Sequence, residues 1–225
     1  TGSIPPEFGN LSKLRTLMLE ENSLSDNIPS ELTNPTELWE ISLSDNQLTG
    51  ALPEEFGNLT NLIRLSIDHN KLDHLPDMST MSNLSYLYMN NNYFDFGDLE
   101  NASLNFYNFH ILDYSPQDTI LKIDTSSAGN DYTLTVNTGG TGNEYIWLRD
   151  GNPFDTTAVN NVTVSQVASY SCQVTNSQFP DLTLNSETIT LGEYTVTFNV
   201  TDESSNAIEG AVITIEGGTS VTTNS

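Results

Sequence analysis

The chain has 225 residues, with six Lys and Arg against thirty Asp and Glu and a formal charge of −24. Such a field excludes nucleic acid and anionic membrane surfaces as partners, because counterions would have to be released against a repulsive potential. Apolar residues make up only 36% of the chain but are regularly spaced, which fits solenoid and sandwich cores rather than disorder. The length allows one large domain or two to three small ones. The acidic excess serves solubility in an extracellular or salty setting, with weak calcium binding by carboxylate clusters as the sharper alternative. One cysteine, Cys172, leaves no internal disulfide; a secreted eukaryotic domain of this kind would carry some, so the expectation is a bacterial protein. No apolar run reaches the roughly 18 residues of a spanning helix, so direct membrane insertion is not expected of this segment. The chain opens on Thr1-Gly2-Ser3-Ile4-Pro5 without Met, which reads as the tail of an interrupted repeat; the far end reads as interrupted too.

Residues 1–100 repeat themselves. Leu59 to Asn70 reads L-x-x-L-x-x-L-x-I-x-x-N, and the same frame runs from Leu11 to Asn22, Pro35 to Asn46 and Met81 to Asn92. The closing asparagines are spaced by 24, 24 and 22 residues. An Asn amide at the bend after each strand can bond the backbone of neighbouring coils and satisfy groups the turn leaves unpaired. The frame resembles the leucine-rich repeat, in which each unit supplies a short strand and a returning arm and stacking buries a shared core. The arms carry Gly2-Ser3-Ile4-Pro5, Asn27-Ile28-Pro29, Gly50-Ala51-Leu52-Pro53 and a shortened Asp73-His74-Leu75-Pro76. With Phe8-Gly9-Asn10-Leu11 and Phe56-Gly57-Asn58-Leu59 they resemble the plant-type subfamily. That resemblance implies a twisted superhelix with extra strand or 3-10 turns on the outer side. Asp26 stands where that subfamily has Gly, and the later repeats drop the Gly, so a plainer outer face is expected there.

Residues 101–115 break the period but keep Leu104, Phe106, Phe109, Leu112 and Tyr114, as a C-terminal cap would; the array with its cap is thus assigned to 1–115. Ser115-Pro116-Gln117-Asp118 reads as a turn and boundary. Residues 116–192 read as short alternating strands, at Thr119 to Ile123, Tyr132 to Val136, Tyr145 to Leu148, Val162 to Val164, Tyr170 to Val174 and Leu182 to Leu184. Asp150-Gly151-Asn152-Pro153 marks a hairpin turn, and Gly139-Gly140-Thr141-Gly142 is read as a hairpin loop, since it lacks the residues of a phosphate loop. Trp147 with Tyr170-Ser171-Cys172 resembles the immunoglobulin fold, in which a core Trp faces the strand F cysteine and a Tyr precedes that cysteine by two. The partner cysteine is replaced by an aliphatic residue, so an Ig-like β-sandwich with a buried free thiol is expected. Residues 193–225 resemble the start of a carboxypeptidase regulatory-like β-sandwich, incomplete here. The fold class is therefore a leucine-rich repeat solenoid followed by an all-β Ig-like sandwich and a truncated sandwich segment.

Function is expected on the strand positions between the core leucines, because alternate side chains point to opposite faces. One ladder is Arg15, Trp39, Ile63 and Ser85, and the next is Thr16, Glu40, Arg64 and Tyr86. Beside them run Met18, Ser42, Ser66 and Tyr88, then Glu20, Ser44, Asp68 and Asn90. The expected ligand-binding residues of this concave face are Trp39, Glu40, Arg64, Ser66, Asp68, Tyr86 and Tyr88, since exposed aromatics and Arg dominate interfaces. No catalytic or metal-site residues and no cofactor are expected. His69, His74 and His110 fall in no H-E-x-x-H motif, there is no G-x-S-x-G elbow, and Glu20-Glu21 and Glu54-Glu55 diverge as sequence neighbours. The N-x-S/T sequences at Asn10, Asn58 and Asn83 follow from the repeat frame itself. The expectation is an extracellular or cell-surface adhesion or recognition module for a protein or polysaccharide ligand, similar in organisation to internalin-type bacterial adhesins. The alternatives are a targeting region of a larger secreted enzyme, or a structural stalk.

Overall fold

The computed structural model describes residues 1–192, 201, 212–213 and 221–222. Its strands, in chain order, are β1 (Thr16–Met18), β2 (Ser25–Asp26), β3 (Glu40–Ser42), β4 (Gln47–Ala51), β5 (Arg64–Ser66), β6 (Lys71–His74) and β7 (Tyr86–Tyr88), then helix α1 (Phe96–Asn101) and β8 (Ile111–Asp113). There follow β9 (Ile120–Leu121), β10 (Ile123–Ala128), β11 (Asp131–Val136), β12 (Asn143–Arg149), β13 (Asn152–Thr157), β14 (Asn161–Val164), β15 (Ala168–Asn176), β16 (Thr183–Ser186) and β17 (Ile189–Leu191).

The repeat frame produces a parallel solenoid. β1, β3, β5, β7 and β8 form one five-stranded sheet in that order, and Leu17, Ile41, Leu65, Leu87 and Leu112 stack in register beneath it. Each coil also sends Leu38, Leu43, Leu48, Leu52, Leu62, Ile67, Leu72, Leu84 and their equivalents into a continuous core. A buried Leu or Ile contributes about 1.5–3 kcal/mol relative to leaving it exposed, and no coil can bury its own face alone. The return arms alternate strand and 3-10 turn: β2, β4 and β6 pair in parallel as an outer sheet, and 3-10 turns start after Pro5, Pro29 and Pro53. Proline suits that place because its fixed φ enters the turn and its missing N–H is an unpaired donor there anyway. The third coil keeps its outer strand β6 although it lacks the Gly, but no 3-10 turn follows Pro76, so its outer face is plainer in that respect alone. Only in the fourth coil does α1 replace the strand.

The asparagine ladder works as a set of backbone clamps. Asn70 Nδ2 donates to the carbonyls of Leu43 at 3.0 Å and Ile67 at 3.2 Å, while its Oδ1 accepts from Leu48 N–H at 3.0 Å. Asn46 and Asn92 repeat the pattern, with Oδ1 accepting from Leu24 and Leu72 N–H. The residue before each Asn sits in the left-handed region: Glu21, Asp45, His69 and Asn91 have φ of 54, 55, 53 and 52°. This bend lets the chain leave the strand toward the clamp.

Residues 101–115 are not a plain cap. They hold a fifth coil, with Tyr86, Leu87 and Tyr88 in register with Ile111, Leu112 and Asp113. Gln117 takes the clamp position: Oε1 accepts from Asn92 N–H at 3.1 Å, and Nε2 donates to Met89 O at 3.0 Å and Tyr114 O at 2.7 Å. The frame from Phe106 is F-x-x-F-x-x-L-x-Y-x-x-Q, a repeat in which aromatics replace Leu and Gln replaces Asn.

The open end of that coil is closed by the following β unit, so Ser115–Asp118 is a junction packed on both sides rather than a free linker. Phe179 is 2% exposed and its ring lies 6.2 Å from Phe96, 5.6 Å from Phe106 and 5.9 Å from Tyr114, centroid to centroid. Asp95 caps α1 through Gly97 and Asp98 N–H and also accepts from Gly139 N–H at 2.7 Å. Gly97 and Gly139 touch backbone to backbone: a Cβ on Gly139 would lie 2.7 Å from Gly97 Cα. Gly139 and Gly140 therefore serve close approach to α1. They do not form a hairpin, because β11 and β12 belong to different sheets.

The β unit consists of a three-stranded sheet, β10-β11-β14, and a six-stranded sheet, β13-β12-β15-β16-β9, with β17 also on β15. Leu134, Val136, Val162 and Val164 of the first sheet and Tyr145, Trp147, Cys172, Val174 and Leu184 of the second are buried. Asp150 and Gly151, with φ of 49 and 78°, make the tight turn between β12 and β13, as that Asp-Gly pair favours. Strands β13 and β17 lacked a clear alternating signal. The expected third unit lies outside the described residues, except that Val212–Ile213 pairs antiparallel with Val221–Thr222.

Candidate ligand-binding face

The outward side of the five-stranded sheet is the candidate site. In this repeat architecture the strands line the inner curve of the solenoid. Registers place Thr16, Glu40, Arg64, Tyr86 and Ile111 in one ladder and Met18, Ser42, Ser66, Tyr88 and Asp113 in the next. Hydrogen bonds continue past the strand ends, from Trp39 N–H to Arg15 O, Ile63 N–H to Trp39 O, Ser85 N–H to Ile63 O and His110 N–H to Ser85 O. They define a third ladder of Arg15, Trp39, Ile63, Ser85 and His110. Five strands at about 4.8 Å spacing give a strip of roughly 19 Å.

Of the expected residues, Trp39 is 41% exposed. Arg64 lies over the Tyr88 ring at 4.8 Å and within 5.9 Å of the Tyr86 ring, and its Nε is 3.5 Å from Glu40 Oε1. Tyr86 in turn stacks on His110, with centroids 5.5 Å apart and planes 14° from parallel. The order Tyr88, Arg64, Tyr86, His110 is a pre-packed aromatic and cationic platform whose Arg charge is already matched by Glu40. Ser66 is 5% exposed, so it is floor rather than ligand contact, in register with the bulkier Tyr88. Asp68 is also engaged, accepting from Ser44 Oγ at 2.5 Å and bonding His69 Nδ1 at 2.9 Å. That bond raises the His69 pKa, against a smaller opposing effect of burial. Asp45, Asp68 and His69 bring ligand atoms within 4.8 Å of one another, the nearest approach to a cation site among the described residues.

His110, Ile111 and Asp113 belong to the same face and were missed, because the fifth coil was not recognised. The signal existed: Gln117 lies 25 residues after Asn92, and Tyr114, Leu112 and Phe109 precede it at the offsets of the repeat's apolar positions. Away from the strip, Cys172 is a buried free thiol, and burial pushes its pKa up to about 12.

Residues 36–94 and 13–35 match family models described as leucine rich repeat. This array is of the leucine-rich repeat class. Comparison with curated proteins finds no match. Among solved structures, the chain is similar to the BIR2 ectodomain of Arabidopsis thaliana, at 31% identity over 42% of this chain and 50% of that one, with a TM-score of 0.40. It is similar to the leucine-rich repeat ectodomain of the receptor kinase SOBIR1 of the same plant, at 28% identity over 53% of this chain and 65% of that one, with a TM-score of 0.46. A third is a plant peptide hormone receptor, RGFR1, in complex with RGF2, at 32% identity over 54% of this chain and 19% of that one, with a TM-score of 0.46. The chain thus spans less than two thirds of each of these relatives. No described helix is long and apolar enough to cross a membrane.

Proposed function

We propose that residues 1–117 form an extracellular, non-catalytic recognition surface that captures a protein segment on the five-stranded face. The observation that carries this reading is the Tyr88–Arg64–Tyr86–His110 stack beside exposed Trp39, Ile63 and Ile111. Such groups combine large apolar area, polar tips and low side-chain entropy, the composition of interface hot spots. The stack is already packed without a ligand, an arrangement that lowers the ordering cost of binding. The residues that carry capture are Trp39, Glu40, Arg64, Tyr86 and Tyr88, extended by His110 and Ile111.

The β unit after it, residues 116–192, is an Ig-like spacer. Trp147 and Cys172 stand opposite each other on β12 and β15, and the Tyr170 hydroxyl donates to Gln166 O four residues upstream at 2.9 Å, features that domain family shares. Its loops brace the last coil and hold the strip in one geometry.

The test is selection of a displayed random-peptide library on residues 1–191, with winners re-assayed on Trp39→Ala/Tyr88→Ala. The expected result is loss of capture with a thermal midpoint nearly unchanged. Winners that bind the double variant as well as the parent would overturn the reading. A polysaccharide array run in parallel, in which sugars bind and no peptide does, would replace the protein ligand by a glycan.

A further inference from the structure

The strip has two chemically different lanes, and they constrain what can lie on it. Toward the start of the strands runs an apolar lane of Trp39, Ile63, Tyr86 and Ile111, three of them 41% exposed: Trp39, Ile63 and Ile111. Toward the strand exits runs an acidic lane of Glu20, Glu21, Asp45 and Asp68, and Asp113 adds a carboxylate at the end of the ladder that holds Ser42, Ser66 and Tyr88. Between the lanes, Ser42 and Ser66 are adjacent in one ladder and form a low floor. Along the strands, Trp39 and Ile63 precede that floor by three residues, Asp45 and Asp68 follow it by three and two, and Asp113 closes the floor's own ladder beyond Tyr88.

The charges on this face are not balanced. Its cations are already engaged: Arg15 and Lys13 both with Glu37, at 3.1 and 2.7 Å, and Arg64 with Glu40 at 3.5 Å. No cation pairs with Glu20, Glu21, Asp45 or Asp113 among the described residues. An anionic ligand would meet these carboxylates and find no free counter-charge, whereas a cationic one would supply it. Favourable pairing across an interface chiefly sets partner choice and encounter rate, and the overall charge of −24 acts in the same direction.

We infer that the occupant of the strip is a basic, amphipathic, extended protein segment. Its backbone lies over the Ser42–Ser66 floor, its apolar side chains lie on Trp39, Ile63 and Ile111, and its Lys or Arg side chains reach toward Asp45, Asp68 and Asp113. Successive side chains of an extended segment point to opposite sides, so alternating apolar and basic residues serve both lanes at once. This inference rests on the recognition reading above and specifies its ligand chemistry.

The test uses short labelled peptides of alternating Leu and Lys, of Leu and Glu, and of Ser and Lys, titrated by fluorescence anisotropy onto the full chain. Variants are Asp45→Asn/Asp113→Asn, Trp39→Ala/Tyr88→Ala, and, as an acidic control on the return arm, Glu54→Gln/Glu55→Gln. Expected is tightest binding of the Leu-Lys peptide, weakened about ten-fold by the Asp pair, by the aromatic pair and by added salt, and unchanged by the Glu pair. Equal or tighter binding of Leu-Glu, sensitive to Trp39→Ala/Tyr88→Ala, would overturn the basic partner and leave the recognition face standing. Leu-Lys binding that ignores the aromatic pair, or falls as much with the Glu pair, would reduce the effect to bulk charge and overturn the inference, as would no binding of any peptide.

Discussion

Replacing Phe179 by Ala tests whether the solenoid and the β unit stabilise each other. The ring is 2% exposed and meets the rings of Phe96, Phe106 and Tyr114, all three on the fifth coil or the helix before it. Truncating a buried Phe costs about 3–5 kcal/mol through lost transfer energy and the cavity left behind. Aromatic pairs of this spacing add about 0.5–1.5 kcal/mol each beyond their area, so a loss of about 4 kcal/mol is expected. Because each coil is held by its neighbours, the loss should concentrate at the end that Phe179 covers. Hydrogen exchange read by mass spectrometry separates the two: amides of 96–117 should lose protection by about a thousand-fold, while those of β12 and β15 lose far less. A change below about 1 kcal/mol, with the fifth coil still protected, would refute the claim that the β unit closes the solenoid.

Other consequences can be checked more simply. Asn70→Ala removes a clamp that satisfies Leu48 N–H and two carbonyls; orphaning a buried donor costs about 1–3 kcal/mol, and Gln117→Leu should behave alike at the fifth coil, both read by urea denaturation. Asp26 has a φ of 66°, so Asp26→Gly should relieve left-handed strain and raise stability by about 0.5–1 kcal/mol in the same assay. The Asp68 bond raises the His69 pKa, so it stabilises the fold fully below the ordinary histidine value and is lost as pH rises through the higher folded value. The stability advantage over His69→Asn, measured across that window, should therefore shrink with rising pH, and a growing advantage would contradict the assigned cause. Cys172, buried and with a pKa near 12, should resist aromatic disulfide reagents in the native protein and react fully once denatured.

The array was legible because its chemistry is periodic. An L-x-x-L-x-x-L-x-L-x-x-N frame has few other physical uses, and it fixes which strand residues share a ladder; the ladders of Thr16 to Tyr86 and Met18 to Tyr88 follow from counting alone. The fifth coil was hidden because Phe109, Tyr114 and Gln117 do the work of Leu, Leu and Asn with different shapes. Burial requires apolar volume and the clamp requires an amide, and neither requires the consensus residue. Contacts between distant segments were beyond reach as well. Nothing near Gly139 signals that it must touch Gly97, and nothing near Phe179 points to coil five, because such contacts depend on how two folded units meet. Ser66 was misjudged for a related reason: alternation gives the face a side chain points to, but its exposure depends on the size of its neighbours. Asp45 and Asp113 were not singled out, although among the described residues neither has a salt-bridge partner, and the proposed basic ligand rests on that.

The two tryptophans allow a direct test of the binding face. Trp39 stands on the strip at 41% exposure, and Trp147 is fully buried in the β unit. With a peptide selected on residues 1–191, proton–nitrogen correlation spectra can follow both indole N–H signals in one titration. The recognition reading predicts that the Trp39 signal shifts with saturating dose dependence while the Trp147 signal stays in place. A peptide that binds with the Trp39 signal unmoved would contradict it.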